Sequence, residues 1–220
     1  MIKRLAFAPP RDEGSSLVRV TELDDAGAAP ARARPFRAVA CTALADLIAD
    51  QAHAGVTIEW FTDADHLARY ERWLAEQHDA PAGHVDVVVA EEHVLRGDAW
   101  LEQRWLDGGP RLKHMAIARR ATGLTQSEFS ARWQTRAGKV GATPIPDVAK
   151  GQAYAQDHPV PRPEGDWRYD AVNEVWFDDE DALRTRIAWM AETVGAGAED
   201  DLVGSSAFLA VREAVVIAGA

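Results

Sequence analysis

The chain has 220 residues, 47% of them hydrophobic and 27% charged, and a net charge of −11. That is ample apolar material for one or two packed domains, while the acidic balance and the lack of a basic run argue against nucleic acid and anionic membrane surfaces as partners. The single cysteine, Cys41, excludes an internal disulfide and fits a reducing compartment. The opening segment MIKRLAFAPPRDE holds too short an apolar run for a signal peptide. No run approaches the ~20 apolar residues of a membrane helix, so a cytoplasmic location is expected.

In chain order, Ile2–Ala8 alternates well enough for a strand. A short helix over Ser16–Leu23 and a small-residue stretch follow within Glu13–Pro35, and Phe36–Leu44 reads as extended. Ala45–Ala54 reads as helical or turn-like. Val56–Phe61, rich in β-branched and aromatic residues, is a strand. Asp63 then offers a carboxylate to the open N–H groups of a helix start, and Leu67, Tyr70 and Trp73/Leu74 recur at helical spacing as one apolar stripe. Val85–Leu95 is a strand. Gly97–Trp105 carries Trp100 and Trp105 as a tail or a short helix packed beneath the sheet. Asp107-Gly108-Gly109-Pro110 reads as a hinge.

The second half repeats the first. Leu112–Ala118 matches Ile2–Ala8 through Lys3/Lys113, Ala6/Ala116 and Ala8/Ala118. Thr125 and Glu128 stand at capping-box spacing, opening a helix whose one face is Phe129, Trp133 and Val140 and which Pro144 and Pro146 end. Gly151–His158 is extended, and Pro159–Tyr169 is a loop. Val172–Met190 then aligns without a gap on Val56–Leu74, pairing Trp60/Trp176, Phe61/Phe177, Asp63/Asp179, Leu67/Leu183 and Trp73/Trp189. Ser206–Ile217 closes the half as a strand. Each half is thus β, α, β, β, α, β, the ferredoxin-like order. One sheet face takes the helices and the other needs a cover, which the second half supplies. The expected fold is α+β: two tandem ferredoxin-like repeats, about 1–108 (degenerate) and 111–220, forming a pseudo-two-fold dimeric α+β barrel with antiparallel sheets.

Three stretches, Ala118–Trp133 (ARRATGLTQSEFSARW), Tyr154–His158 (YAQDH) and Tyr169–Asp179 (YDAVNEVWFDD), give the second half a resemblance to the EthD-like branch of the dimeric α+β barrel superfamily. The resemblance covers most of Leu112–Val216, and the first half shares only its central strand, helix and last strand. It implies a barrel made within one chain and a pocket between sheet and helices. Its relatives by fold include polyketide cyclases, carboxylic-acid decarboxylases, lactone isomerases and cofactor-free monooxygenases. One position departs from the family pattern: Ala137 stands where a histidine is usual.

The candidate catalytic residues are His158, Tyr154, Glu174 and His114. His158, Gln156 and Tyr154 alternate along one strand and share a face; histidine titrates near neutral pH and suits proton transfer. The alternative is a solvated rim position just before Pro159. His114 sits where the first half has Arg4, as a pocket group or a satisfied buried histidine. Glu174, whose twin is Ile58, lies between Val172 and Trp176 in parity. It can take a proton, activate a histidine, or pair with Arg119 or Arg168. Trp133, Trp176, Phe129 and Gln156 are the candidate ligand contacts, with core packing as the alternative for the aromatics. His53, His66, His78, His84 and His93 show no metal-ligand spacing, and no metal or cofactor is expected. The expectation is a cofactor-independent lyase or isomerase acting on a small hydrophobic oxygenated molecule. A cofactor-free monooxygenase and a non-catalytic binding protein are the alternatives. The chain is expected as a monomeric pseudo-dimer or a homodimer.

Overall fold

The fold is α+β in a computed structural model that describes residues 1–10, 26–77, 85–108, 111–136, 143–162, 165–193 and 200–219. The strands are β1 (Ile2–Ala8), β2 (Arg37–Ala43), β3 (Gly55–Phe61), β4 (Asp86–Arg96), β5 (Arg111–Arg120), β6 (Ala153–Pro159), β7 (Ala171–Phe177) and β8 (Val203–Ile217). The helices are α1 (Ala64–Gln77), α2 (Asp98–Asp107), α3 (Gln126–Arg136), the single turn α4 (Asp147–Lys150) and α5 (Glu180–Thr193). The helix expected over Ser16–Leu23, the hinge residues Gly109 and Pro110, and the positions Ala137 and Val140 lie outside the described residues. Gly97–Trp105, read as a tail or a short helix, is helical as α2.

All strands pair antiparallel in the order β1-β3-β2-β8-β5-β7-β6-β4, and β4 returns to β1 to close a barrel. Each half contributes the same local order: last strand, first, third, second. The halves join edge to edge at two seams, β2 with β8 and β4 with β6, so a rotation that exchanges the halves exchanges the seams. The registers agree: Lys3 faces Trp60 and Lys113 faces Trp176. Closure removes every free strand edge, which an open sheet must otherwise guard.

Local chemistry starts the helices where expected. Asp63 Oδ1 accepts from the His66 N–H at 2.7 Å, and Asp179 Oδ1 accepts from the Ala182 N–H at 2.8 Å. At α3 the Thr125 N–H donates to Glu128 Oε2 (2.8 Å) while the Glu128 N–H donates to Thr125 Oγ1 (3.2 Å), a reciprocal capping box. Strand alternation then sorts side chains into a lumen face and an outer face that carries the helices. The lower lumen is apolar: Leu5, Phe7, Val39, Val56, Ile58, Met115, Ile117, Val172, Leu209 and Val211 are buried together. There His53 seals the floor, with Nε2 2.6 Å from the Tyr169 hydroxyl and Nδ1 3.2 Å from the Ala8 carbonyl oxygen.

The upper lumen is charged. Lys3 Nζ lies 2.9 Å from Glu92 Oε1 and 3.1 Å from Asp157 Oδ1, and it also contacts Glu174. Lys113 contacts Glu174 and lies 2.5 Å from Glu213 Oε2; Arg111 Nε lies 3.1 Å from Glu213 Oε1. Each lysine ammonium also sits over an indole, Lys3 on Trp60 at 5.0 Å and Lys113 on Trp176 at 4.7 Å. Above them α2 lies across the barrel mouth: Leu101 packs on Ala153, Ala155 and Trp176, and Trp105 meets Trp60 edge-on at 5.6 Å.

Glu174 holds both lysines at once, so removing it leaves two buried ammonium groups short of a counter-ion. Breaking a buried pair in this way costs about 3–5 kcal/mol. Glu174→Ile, although it copies the first-half twin Ile58, is therefore expected to lower unfolding free energy by about that amount. A urea titration checks it, and a loss below about 1 kcal/mol would contradict a central role for Glu174.

Candidate functional site

On the outer face of the second half, α3 stands away from the ends of β4 and β6. The opening is a cleft of about 750 Å³ walled by α3, by the two strand ends and by residues 160–162 and 165–167. His158 forms part of its floor with Glu91 and His93 of β4, while Ser127, Ser130 and Gln134 enter from α3. The two imidazoles meet edge to face with centroids 4.8 Å apart. Glu91 is the direct cross-strand partner of His158. On the far wall Arg162 stacks on Trp167 at 4.2 Å, and the Arg162 Nε–H donates to the Gly165 carbonyl at 3.0 Å.

Tyr154, Gln156 and His158 do act as a unit. The Gln156 side-chain N–H donates to the Tyr154 hydroxyl at 2.7 Å, which turns the Gln156 carbonyl oxygen toward His158 Nε2, 3.1 Å away. A carbonyl only accepts, so Nε2 must carry the proton and Nδ1 keeps a lone pair. Burial, reinforced by His93 and opposed by Glu91, pulls the His158 pKa down to about 4. At neutral pH this imidazole is an uncharged acceptor of protons, not a donor.

The other sequence candidates lie elsewhere. Glu174 is in the lumen, on the opposite side of the sheet from His158. It pairs with Lys3 and Lys113, not with Arg119, Arg168 or a histidine, and although burial favours its acid form, the two lysines outweigh that and hold it at about 2. It is a fixed anion, not a proton acceptor for His158 or His114. His114 shares the outer face but lies under α5, its ring stacked on Phe208 at 5.6 Å. Phe129 and Trp133 stack on each other at 5.3 Å and pack with Ala118, Ala171, Leu202 and Val203. A helix places residues four apart on one side, so those two turn to the sheet while Ser127, Ser130 and Gln134 turn to the cleft. Trp176 is in the lumen, and neither it nor those two aromatics lines the cleft.

Sequence reasoning passed over Glu91, His93, Arg162 and Trp167. Outward parity on β4 groups Glu91 with His93, but only the seam with β6 brings them to His158. It also passed over Lys3, Arg111, Asp157 and Glu213 as lumen groups. Asp157 is pushed well above the carboxylate range by burial and by Glu174 and Glu92, against Lys3. Among the described residues, Glu92, Asp157 and Glu174 bring carboxylate oxygens close enough together to hold a metal ion. The Lys3 ammonium already contacts all three, so the lysine supplies the cation there.

No protein-family model matches the chain, and no curated protein matches it. Among solved structures it is similar to the crystal structure of a "putative monooxygenase" from Lactobacillus acidophilus NCFM, with 10% identity and a TM-score of 0.44 over 99% of this chain and 96% of that one. A likeness at that level is silent on chemistry. Among the described residues, no helix is long and apolar enough to cross a membrane.

His114 gives this region a pH signature. Burial, with Arg186 nearby, drops its pKa from 6.5 to about 3. Below pH 6.5 the unfolded chain takes up a proton that the folded chain refuses, so the stability present above 6.5 is lost as pH falls toward the folded value. One such group accounts for about 3 kcal/mol between pH 7 and pH 4. His114→Gln is expected to flatten the acid limb of a stability-against-pH curve by about that amount; an unchanged limb would place the sensitivity elsewhere.

Proposed function

We propose that the cleft is the active site of a cofactor-independent lyase or isomerase acting on a small, hydrophobic, oxygenated molecule, with His158 as its general base. The observation that carries this reading is His158 itself: an imidazole at the floor of a large cleft, held as the Nε2–H tautomer through Gln156 and Tyr154, with an unprotonated Nδ1 at neutral pH. Two of the three stretches that carry the EthD-like resemblance, Ala118–Trp133 and Tyr154–His158, supply cleft residues of α3 and β6, which favours the same assignment.

The chemistry is removal of a proton from a carbon made acidic by a neighbouring carbonyl. His158 Nδ1 takes the proton, and the imidazolium that forms is favoured by the Glu91 carboxylate across the strand pair. Tyr154 and Gln156 hold the ring and keep Nε2 supplied with an acceptor. Ser127, Ser130 and Gln134, spaced by one helical turn, offer hydrogen bonds to the oxygens of the ligand, and Pro159, Val160 and Trp167 offer an apolar surface to its carbon frame. The proton returns to the same or a neighbouring carbon, or bond cleavage takes up the electron pair.

The test needs no prior substrate. A set of small aromatic and polyketide-like keto acids and lactones is incubated in D₂O, and exchange at carbon is followed by NMR. His158→Ala is expected to lower the exchange rate by about 10²–10⁴-fold with the fold intact. Because the working form is the free base, kcat/KM is expected to stay flat above about pH 5 and to fall tenfold per unit below pH 4. Equal rates in wild type and variant would reject His158 as the base. Oxygen consumption in step with turnover would instead favour the monooxygenase alternative.

A further inference from the structure

Beneath α2, at the barrel mouth, lies a second and smaller cavity of about 100 Å³, walled in part by Trp60, Trp105, Trp176, Glu92, Arg111 and Glu213. It is separated from the cleft by the sheet. Two of its wall residues carry buried hydrogen-bond donors that have no acceptor: Nη2 of Arg111 and Nε1 of Trp176. Arg111 is 1% exposed and Trp176 is 2% exposed. Buried donors are nearly always paired, and an orphan needs an explanation.

The internal symmetry shows how these two were orphaned. In the first half, Trp60 Nε1 donates to Glu92 Oε2 at 3.1 Å. The equivalent carboxylate in the second half is Glu213, which stands two residues beyond the β8 partner of Lys113, just as Glu92 stands two beyond the β4 partner of Lys3. But Glu213 is paired as an ion with Lys113 at 2.5 Å and with Arg111 Nε at 3.1 Å, although neither of its oxygens nor that Nε makes a hydrogen bond. The first-half position matching Arg111 is Met1. The arginine therefore takes up the acceptor that Trp176 lacks and adds a donor of its own.

We propose that this cavity binds a small planar oxyanion of the carboxylate or bicarbonate class, with Arg111 and Trp176 as its donors and α2 as its cover. The volume holds about three waters or one ion of three or four heavy atoms. Three of the four carboxylates on its wall already have cations: Glu92 has Lys3, Glu213 has Lys113 and Arg111, and Glu102 has Arg37; the fourth is Asp98. A second guanidinium, Arg37, lies over the same Trp105 indole as Arg111, at 4.8 Å against 4.3 Å. Burial first, and then the Arg104 and Arg37 charges, pull the Arg111 pKa below its usual range in spite of Glu213; an added anion acts in the opposite sense. A planar oxyanion also matches the fork of a guanidinium better than a spherical halide does.

The full chain would be titrated with sodium formate, acetate and bicarbonate, with sodium chloride at equal ionic strength as the control. Tryptophan fluorescence and thermal unfolding are the readouts. The expected result is a saturable fluorescence change and a rise in Tm of about 3 °C at ten times the Kd. Both effects are absent from Arg111→Met, which copies the first half, and are weakened at least tenfold in Trp176→Phe, which keeps the ring and removes the N–H. If Arg111→Met fails to fold, Trp176→Phe decides alone. A wild-type response to chloride equal to that of formate overturns the site, as does an oxyanion response that survives loss of the Trp176 N–H. No response to any oxyanion up to 100 mM, on the order of the weakest Kd worth calling a site, leaves the cavity to water and also overturns it.

Discussion

The barrel depends on the ion-pair network that fills its upper lumen. Closing eight strands into one sheet leaves eight rows of inward side chains competing for a space wide enough for side chains and little else. Below, hydrocarbon fills it. Above, Lys3, Lys113 and Arg111 meet Glu92, Asp157, Glu174 and Glu213. Burial alone would make each of these charges unfavourable by several kcal/mol, so they persist only as a mutually compensated set. Three cations face four acids, and of these acids Asp157 is the one pushed toward its protonated form. It shares Lys3 with Glu92 and Glu174, and burial pushes its pKa up. Glu174, between two lysines, stays ionised. Because these groups come from β1, β4, β5, β6, β7 and β8, the network forms only when both halves are in register.

The same network records what was copied and what was changed between the halves. Lys3 and Lys113, Trp60 and Trp176, Glu92 and Glu213 occupy equivalent registers. Polar groups differ at four lumen positions: the first half has Ile58, Cys41, Met1 and Arg37 where the second has Glu174, Asp157, Arg111 and Ala153. The first three add a polar group on the second-half side, and the fourth removes one. Cys41 shows the cost avoided in the first half: burial pushes its thiol up to about 12, so 4.0 Å from Lys113 it stays an uncharged filler. The pseudo-symmetry is thus a symmetry of backbone and aromatic packing, and the chemistry is lopsided.

How much of this the sequence discloses follows from which interactions are local. The repeat is legible because Trp60/Trp176 and Phe61/Phe177 carry packing that both halves need. The caps at Asp63, Asp179 and Thr125 are legible because they satisfy donors within the same turn. The shared face of Tyr154, Gln156 and His158 follows from strand period alone. Parity could not say which face of β7 looks inward, so Glu174 was linked to His158 when the sheet stands between them. Parity also could not pair β4 with β6, and therefore His93 remained an isolated histidine. The lumen cations were hidden for a different reason. A lysine on a strand ordinarily faces water, and only barrel closure shows that Lys3 and Lys113 have none to face.

One strand ties the two compartments together. Along β6 the outward residues Tyr154 and Gln156 support His158 in the floor of the cleft, while Ala153, Ala155 and Asp157 face the lumen. The two alanines are small where Trp176 and Leu101 press against the strand from inside, so a larger residue at either site would have to displace the strand itself. Gly151, just upstream, has φ of 70°, and a side chain there would collide with the Trp176 carbonyl at 2.5 Å, which fixes the entry of β6 against β7. His158 is therefore held by packing on the far side of its own backbone as well as by Gln156 on the near side. Its neighbour Asp157 anchors the strand to Lys3 across the lumen. Precise placement of a base within a few tenths of an ångström needs such support from behind, and in this chain the support is the ion-pair network that closes the barrel.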